Sequence, residues 1–430
     1  MDPQPSPQLT ALVAQAEALT RNGRPQDAAG LWEKVVALDP GHATALNQLG
    51  ALALAQGDLG LAQSRLERAL AADPGLAMAH ASLSRLHARR GDHPQALASI
   101  DAAIRIDPTA WGPQAEKARL LEAAGQLRAA GLHWGNALTF LPQALRQQPQ
   151  LQSLIEHAQA AVTRNREALA SHLDDRTGAL LQGHDRRETE RMRHSLDILS
   201  GRRSFVTAQP LTLPIPRLPA IPIFHREDFD WAPQVEAAFP DILAELHALL
   251  EHDAGFEPYV QTPEDEPKGQ FAPLDRNLDC GAYFLWKHGR RIDAQADRCP
   301  RTEAALALAP QMQVPGRAPV SFFSALKPGV HIPPHNGATN ARLTVHLPLI
   351  IPPDCGLRVG EETHVWEPGK LVLFDDTIRH EAWNFSDRLR VVLIFDVWHP
   401  LLSALERDLV VRITSALMDF YGADTDLGEL

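Results

Sequence analysis

The chain repeats itself every 34 residues through its first third. Several positional classes keep this spacing over successive repeats, and each class holds one kind of residue. These residues are Pro40, Pro74, Pro108 and Pro142; Gly23, Gly57, Gly91 and Gly125; Ala28, Ala62, Ala96 and Ala130; and the bulky Trp32, Leu66, Ile100 and Trp134. A period of this length strongly constrains the fold, because each unit must bury its apolar face against its neighbours.

Each repeat is interpreted as two helices, A and B. The glycine is expected in the turn between them, where a left-handed backbone ends helix A. The alanine lets the helices approach closely, the bulky residue one turn later fills the gap, and the proline ends helix B. Residues 8–142 resemble the tetratricopeptide repeat, an α-solenoid whose usual role is to hold a peptide or protein in its concave groove. A spacer or a dimer surface is the alternative.

Composition indicates which binding partners and which cellular compartment suit the chain. A net charge of −12 argues against nucleic acid as a partner, because neutralising phosphates needs a basic surface. Three cysteines, Cys280, Cys299 and Cys355, suit a reducing compartment better than a disulfide framework. The start of the chain lacks the pattern of a signal peptide, and no apolar run reaches about 18 residues. We therefore expect a cytoplasmic protein without a membrane span.

The period fails after Pro142, and the texture of the sequence changes again near residue 209. Residues 143–208 are predicted as a helical connector and linker, and residues 209–224 are rich in proline. A helix is predicted at 232–251, and residues 401–430 are predicted as a C-terminal helix and tail. Strands are predicted at 281–287, 320–327, 342–350, 356–359, 363–366, 370–374 and 389–398. The chain is thus an α+β multidomain protein, with an antiparallel barrel or sandwich following a helical solenoid.

Side-chain alternation places polar residues on one face of several strands. Arg342, Thr344 and His346 share a face of the strand at 342–350. Arg390 shares a face with aliphatic residues on the strand at 389–398, and Ser324 lies on a similar face at 320–327. A buried face that carries arginine and histidine is costly unless an anion or a metal offsets the charge. We therefore predict a polar pocket inside the β domain.

Histidines supply the candidate metal ligands. They are His331, His335, His346, His364, His380 and His399. An iron site in a β-barrel often combines a His-x-Asp/Glu pair with a distant histidine. His335 and His380 stand at these two histidine positions, but Gly337 occupies the place of the carboxylate. The residues alone leave open whether these histidines are ligands or ordinary loop residues, and His331 remains a competing ligand.

Residues 320–400 resemble the aspartyl/asparaginyl β-hydroxylase family of iron(II)- and 2-oxoglutarate-dependent oxygenases. The resemblance is carried by SALKPGVHIPPHNGATNARLTVHLPL, VWEPGKLVLFDDTIRHEAWN and RVVLIFDVWHP, and it extends more weakly back to residue 221. It implies a double-stranded β-helix (jelly-roll, cupin-like) domain over residues 209–400. It also implies that glycine replaces the carboxylate ligand and that two histidines hold the iron.

The resemblance assigns roles residue by residue. His335 and His380 would bind Fe(II). Arg390 would pair with the side carboxylate of 2-oxoglutarate through its planar guanidinium, with Ser324 bonding the same carboxylate. His346 would contact the carboxylate at the metal end. O2 would be the co-substrate.

The same resemblance places Arg342 and Thr344 where the family meets its substrate. Thr344 stands where the animal enzymes carry a basic residue, so the sequence departs from them at this point. Asp375 and Asp376 are interpreted either as residues that orient His380 or as turn formers.

The function implied is a dioxygenase that hydroxylates an unactivated C–H bond. The expected target is the β-carbon of Asp or Asn in a peptide or protein recruited by the repeat groove. The alternatives are a non-catalytic repeat scaffold, a hydroxylase of a free amino acid or other small molecule, and a zinc or nickel enzyme without 2-oxoglutarate. Arg390 favours the dioxygenase, because such a residue has little purpose without a dicarboxylate.

Overall fold

The computed structural model describes residues 6–252, 255–262, 269 and 272–421. The described residues divide into two compact units at the bond between Arg203 and Ser204. We call them the repeat unit and the β unit.

The repeat unit begins with consecutive helical pairs that follow the 34-residue period. The pairs are α1 (Pro7–Arg21) with α2 (Pro25–Leu38), α3 (Ala43–Gln56) with α4 (Leu59–Ala72), α5 (Ala77–Arg89) with α6 (His93–Ile106), and α7 (Trp111–Ala123) with α8 (Leu127–Phe140). The first helix of a pair also contacts the first helix of the next pair, as α3 does with α5 and α5 with α7. The predicted helical solenoid is confirmed.

The periodic residues lie where the pattern predicts them. Gly23, Gly57, Gly91 and Gly125 have φ values of 73°, 87°, 78° and 73°, the left-handed conformation that ends the first helix of each pair. The alanines and the bulky residues of the period are all buried. A small residue and a large one therefore alternate along the buried contact between the two helices.

Three further helices complete the repeat unit: α9 (Gln143–Arg146), α10 (Pro149–Gln182) and α11 (Arg186–Leu199). The start of α10 packs on α8, with Ala158 and Ala161 buried against Trp134. The connector is thus helical, as predicted, and its first long helix covers the open end of the last pair. The period fails here because α10 runs on where each earlier unit has a turn.

The β unit has helices α12 (Ala232–Ala237), α13 (Phe239–Glu251), α14 (Asp293–Ala296), α15 (Pro300–Leu306) and α16 (Ala404–Tyr421). Its strands are β1 (Ile223–Phe224), β2 (Glu257–Pro258), β3 (Cys280–Lys287), β4 (Arg290–Arg291), β5 (Ser321–Leu326), β6 (Val330–His335), β7 (Arg342–Ile350), β8 (Cys355–Val359), β9 (Glu362–His364), β10 (Val372–Phe374), β11 (His380–Asn384) and β12 (Arg390–Trp398). None of the helices in the described ranges is both long and apolar enough to cross a membrane.

The strands form two antiparallel sheets. The larger sheet has the order β1-β10-β7-β12-β5-β3-β2, with β4 paired to β3, and the smaller has the order β6-β11-β8-β9. One face of the larger sheet packs on α12, α13 and α15 through residues such as Val345 and Leu393. Its other face meets the smaller sheet, where Phe374 and Val392 pack with Leu357. The alternation predicted for β7 and β12 is therefore confirmed.

The predicted elements differ from the observed ones in a few places. The helix predicted at 232–251 is broken at Ala238, because Pro240 starts a second helix there. Strands β6 and β11 were not predicted. The two prolines of β6 remove backbone donors, and the strand tolerates them because it lies at the edge of its sheet. The predicted tail beyond residue 421 lies outside the described residues.

Candidate functional site

His335 and His380 face each other across the pair of strands β6 and β11. They are direct partners in the antiparallel register, and their ring centroids lie 3.9 Å apart. Residues 45 positions apart in sequence thus present two imidazoles at one point of the smaller sheet. Among the described residues, no group of three or more His, Cys, Asp or Glu side chains forms a metal-holding cluster.

Backbone carbonyls select the tautomer of both rings. Nδ1 of His335 lies 2.8 Å from the carbonyl oxygen of Pro333, and Nδ1 of His380 lies 3.1 Å from that of Ile378. A carbonyl oxygen only accepts, so we assign the proton to Nδ1 and the lone pair to Nε2. Burial lowers the pKa of His335 to about 3 and that of His380 to about 4. Both rings are therefore neutral near pH 7, as metal ligation requires.

Gly337 leaves room for the carboxylate of Asp376. A Cβ atom built on Gly337 would lie 2.3 Å from Cγ of Asp376, far inside van der Waals contact. The Gly337 amide also donates to the backbone carbonyl of Asp376, at 2.7 Å. The place that a ligand carboxylate on residue 337 would use is thus filled by a carboxylate from the loop before β11. Position 337 can therefore carry a side chain only if Asp376 moves away from its observed place.

Arg342 and Thr344 hold the Asp376 carboxylate. Oδ2 of Asp376 accepts from Nη2 of Arg342 at 3.1 Å and from Oγ1 of Thr344 at 3.0 Å. Arg342 also pairs with Asp396 at 2.6 Å. Burial acts against the guanidinium charge, yet Asp396 and Asp376 hold the pKa of Arg342 above its ordinary value. Both residues are engaged with carboxylates of the same chain, and a substrate contact from either one stays a prediction.

The two aspartates of the loop differ in role. Asp375 accepts through Oδ1 from the amide and the hydroxyl of Thr377, at 3.0 and 2.5 Å, which is the geometry of a turn former. Burial raises the pKa of Asp375 to about 6. Asp376 instead faces the histidines: its Oδ1 has no hydrogen-bond partner in the described structure, and its charge acts on His335.

Arg390 is a buried cation on β12. It is 1% exposed, its Nη1 donates to Ser324 Oγ at 3.2 Å, and its Nε has no partner in the described part of the chain. The guanidinium carbon lies 4.4 Å from the centroid of the Trp366 ring, a cation–π contact. Burial lowers the pKa of Arg390 to about 10, and no described carboxylate offsets the cost. A buried guanidinium without a counter-charge is costly, and an anion beside it would offset that cost.

His346 connects the two groups of residues. It is 5% exposed, and its Nδ1 has no hydrogen-bond partner among the described residues. Its ring lies 5.8 Å from that of Trp366 and 4.9 Å from that of Phe374, centroid to centroid. Burial and the charge of Arg390 hold its pKa well below the ordinary value. The neutral imidazole thus has a donor or acceptor position available in the protein interior.

The other candidate histidines are not part of the facing pair. Nε2 of His331 is 2.7 Å from Glu381, which also pairs with Arg358, so His331 belongs to an ion-pair network beside the site. His364 ends β9, and burial lowers its pKa. His399 accepts from the amide of Leu401 at 3.2 Å and is completely buried.

Trp366 and the position of Asp376 carried no decisive signal in the sequence. Trp366 follows a short strand, where alternation gives no reliable face, and its stacking on Arg390 depends on two distant segments. The sequence offers Asp375 and Asp376 the same two interpretations, as residues that orient His380 or as turn formers. The absence of a side chain at Gly337 was the signal that could have separated the two aspartates.

The buried histidines make stability depend on pH. Burial lowers the pKa of His399 to about 4, below the 6.5 expected in the unfolded chain. Protons therefore bind the unfolded state more tightly, and the free energy of unfolding falls as the pH drops from about 6.5 towards 4. We expect His399→Asn, which keeps an acceptor for Leu401, to recover about 1–2 kcal/mol of this acid-dependent loss in the metal-free protein. Urea unfolding at pH 7.5 and pH 5 measures it, and an equal pH dependence in both proteins would contradict the expectation.

The residues present fit the groups that the sequence resemblance implies. Two neutral imidazoles with Nε2 lone pairs are suitable donors for Fe(II). A buried guanidinium, a hydroxyl and an indole face suit one end of a small dicarboxylate. The structure brings His335, His380 and Asp376 together on one side, and Arg390 and Ser324 together on the other, with His346 contacting Phe374 and Trp366 between them. Phe374 also touches His380, with centroids 5.3 Å apart.

Models of two protein families match the repeat unit and the β unit separately. A model of the aspartyl/asparaginyl β-hydroxylase family matches residues 236–400, and a tetratricopeptide repeat model matches residues 13–62 and 48–110. The ornithine lipid ester-linked acyl 2-hydroxylase of Rhizobium tropici is 32% identical over 199 residues, which cover 46% of this chain and 67% of that protein. The chain belongs to the aspartyl/asparaginyl β-hydroxylase family and carries tetratricopeptide repeats before the hydroxylase region.

Other relatives match more narrowly. Human aspartyl/asparaginyl β-hydroxylase is 39% identical over 148 residues, which cover 33% of this chain and only 19% of that protein. The match thus spans about a fifth of the human relative's length. Among solved structures, a thermophilic tetratricopeptide repeat protein of Thermus thermophilus aligns over 39% of this chain and 89% of its own, with 21% identity and a TM-score of 0.31.

Proposed function

We propose that the β unit is an iron(II)- and 2-oxoglutarate-dependent dioxygenase domain with a double-stranded β-helix fold. It would hydroxylate an unactivated C–H bond. The observation that carries the proposal is Arg390, a buried guanidinium that no described carboxylate neutralises. His346 lies close enough to feel the charge of Arg390 as well as of the two facing histidines. Two packed antiparallel sheets with the polar residues between them support the proposed fold.

His335 and His380 would hold the iron through their Nε2 atoms. Their Nδ1 protons are anchored on the carbonyls of Pro333 and Ile378, so each ring is oriented before metal binds. Bound Fe(II), with 2-oxoglutarate and O2, supplies the oxidising power for hydroxylation. Asp376, held by Arg342 and Thr344, would offer its unpartnered Oδ1 as a hydrogen-bond acceptor beside the two histidines.

Arg390, Ser324 and His346 would bind 2-oxoglutarate. The guanidinium would pair with the side carboxylate, with the Ser324 hydroxyl beside it and the Trp366 ring fixing its plane. His346 would bond the carboxylate nearer the metal. Because this part of the pocket is buried, the binding groups are already desolvated and exclude water from the reaction.

The proposal also extends to the substrate that is hydroxylated. A relative is named for hydroxylating aspartyl and asparaginyl residues and another for an acyl chain of a lipid. The repeat unit supports a peptide or protein substrate, since it offers a second surface for a polypeptide. Within the pocket Arg342 is neutralised by two aspartates and Arg390 is assigned to the cosubstrate, so an uncharged amide suits the charge balance better than a carboxylate. We therefore favour the β-carbon of Asn over that of Asp.

The small-molecule alternative rests on the Rhizobium relative. That protein is covered over two thirds of its length, whereas the human relative is covered over about a fifth. Matched peptides that differ only in Asn or Asp, tested beside free amino acids and acyl lipids, separate these targets. Release of succinate coupled to one substrate class identifies it.

The first experiment needs no substrate. Fe(II) and 2-oxoglutarate are added to the protein without oxygen, and the visible spectrum is recorded for wild type and His380→Ala. We expect a metal-to-ligand charge-transfer band in wild type that is lost in the variant. Retention of the band in folded His380→Ala would contradict the ligand assignment. No band in folded wild type would favour a non-catalytic scaffold, and a metal bound without any 2-oxoglutarate dependence would favour the zinc or nickel alternative.

A further inference from the structure

A cavity lies in the β unit between the end of β12 and the start of α16. Its volume is about 470 Å³, within the range of roughly 300–1,000 Å³ that small-molecule sites occupy. The segment before β5 forms one wall, where Gln311 lines the cavity and the carbonyl oxygen of Pro310 accepts from the amide of Trp398 at 3.0 Å. No residue of the lining is assigned to the iron, to 2-oxoglutarate or to the hydroxylated substrate. The cavity is therefore a separate candidate site.

Apolar side chains form the floor of this cavity. Leu402 is buried, Trp398 and Val411 are half-buried, and all three line the cavity. They pack with Met312 and Val314 in a hydrophobic cluster of the β unit. Because the cluster fixes the floor in place, an apolar group that enters the cavity leaves water for a surface that is already formed.

Arg407 brings a positive charge to the cavity that no described carboxylate neutralises. Its side chain makes no ion pair or hydrogen bond with the described residues, its Nε is buried without a partner, and its guanidinium carbon lies 5.9 Å from the centroid of the Trp398 ring. Glu406 is held by the amide and the hydroxyl of Ser403, at 2.8 and 2.7 Å, in a cap of α16. The residues three and four positions away on the helix are not acidic; they are Ser403, Ala404, Val410 and Val411. The guanidinium is thus available to a carboxylate from outside the chain.

Asp408 brings a negative charge to the same cavity. Its carboxylate is exposed, lines the cavity and has no hydrogen bond or ion pair with the described residues. Although Arg407 precedes it in the sequence, the two side chains do not pair with each other in the described structure. The cavity therefore presents one cation, one anion and an apolar floor to whatever enters it.

We propose that this cavity binds a free α-amino acid with an apolar side chain. Near pH 7 such a molecule carries a carboxylate and an ammonium on the same carbon atom. The carboxylate would pair with Arg407, whose planar guanidinium suits it, and the ammonium would pair with Asp408. The apolar side chain would lie on Trp398, Leu402 and Val411.

The two charges of the cavity decide between related ligands. A phosphate compound would meet Arg407 but would be repelled by Asp408. The C-terminal residue of a polypeptide has the carboxylate and the side chain, but it has a neutral amide where Asp408 offers a negative charge. A free amino acid uses both charges and the floor, so it is the ligand that the lining fits best.

The test is calorimetric titration of the full chain with L-leucine and L-phenylalanine. L-Leucinamide, which lacks the carboxylate, and N-acetyl-L-leucine, which lacks the ammonium, are the matched ligands. The variants are Arg407→Gln and Asp408→Asn, which remove one charge each and keep similar shapes. Arg412→Gln is the matched control, since Arg412 is an exposed arginine of the same helix that does not line the cavity.

We expect leucine or phenylalanine to bind wild type and Arg412→Gln alike. Leucinamide and N-acetyl-leucine should each bind wild type at least about tenfold more weakly than leucine, and Arg407→Gln should lose a similar factor for leucine. Asp408→Asn should bind leucine and N-acetyl-leucine alike, because it lacks the partner of the ammonium. Circular dichroism checks that the variants keep their helices.

Several outcomes would overturn the proposal. They are no binding of either amino acid to wild type, equal binding of leucine and leucinamide, unchanged leucine affinity in Arg407→Gln, and an equal loss in Arg412→Gln. Binding of N-acetyl-leucine to wild type as tightly as leucine would also overturn it, in favour of a polypeptide C-terminus. The comparison of ligands on wild type needs no variant, so it decides the matter even if a variant fails to fold.

Discussion

Arg390→Met is expected to abolish 2-oxoglutarate binding while leaving the protein as stable as wild type or more stable. The guanidinium is 1% exposed, and burial has already lowered its pKa to about 10. With a cosubstrate carboxylate in place the charge is neutralised, and its loss leaves that carboxylate buried without a partner. Such a loss costs roughly 2–5 kcal/mol, so affinity should fall at least about 30-fold.

The same substitution is expected to stabilise the protein when no cosubstrate is bound. Without cosubstrate, Arg390 is a buried charge with a hydroxyl and an aromatic face as its contacts. Methionine fills a similar volume against Trp366 and needs no counter-charge, so we expect a gain of roughly 1–3 kcal/mol in the free energy of unfolding. Calorimetric titration with 2-oxoglutarate and urea unfolding measure the two effects. Unchanged affinity would remove Arg390 from the cosubstrate site.

Ser324→Ala is the control for this pair of measurements. It removes one neutral hydrogen bond to Nη1 of Arg390, so the expected loss of affinity is several-fold. An equal loss in both variants would mean that the hydroxyl and not the charge dominates binding.

Gly337→Asp is expected to disable the site, although it restores the carboxylate of an ordinary facial triad. Any Cβ at residue 337 would lie about 2.3 Å from the Asp376 carboxylate, which Arg342 and Thr344 hold in place. The substitution must push Asp376 out of a buried ion-pair network and bring a second negative charge beside it. We expect a loss of roughly 2–4 kcal/mol in stability and a much weaker charge-transfer band with Fe(II) and 2-oxoglutarate.

Controls separate the clash from an ordinary glycine effect. Gly178→Ala lies within α10, where an added Cβ meets nothing within 4 Å, so it should be neutral or stabilise the protein by up to about 1 kcal/mol. Gly337→Ala alone should destabilise, and adding Asp376→Ala should recover part of the loss, because the clash partner is gone. Tighter metal binding by Gly337→Asp at unchanged stability would show that Asp376 moves aside at little cost.

The sequence by itself determined the helical solenoid and the faces of the long strands. The 34-residue period is a local rule, so Gly57 at a turn and Ala62 at a helix contact follow from their neighbours in the chain. Alternation along β7 and β12 is local in the same way, and it placed His346 and Arg390 between the sheets. Short or proline-containing strands such as β6 do not show a clear alternation, so the sequence does not predict them.

Only the tertiary structure decided which polar groups meet and how their charges balance. His335 and His380 are neighbours because β6 and β11 pair in one register, and a shift of one residue would turn one ring away. Arg342 and Arg390 look alike in the strand pattern, yet one is neutralised by Asp376 and Asp396 and the other is left without a carboxylate. The energy of a buried charge depends on partners distant in sequence, and those partners are set by how the strands and loops pack.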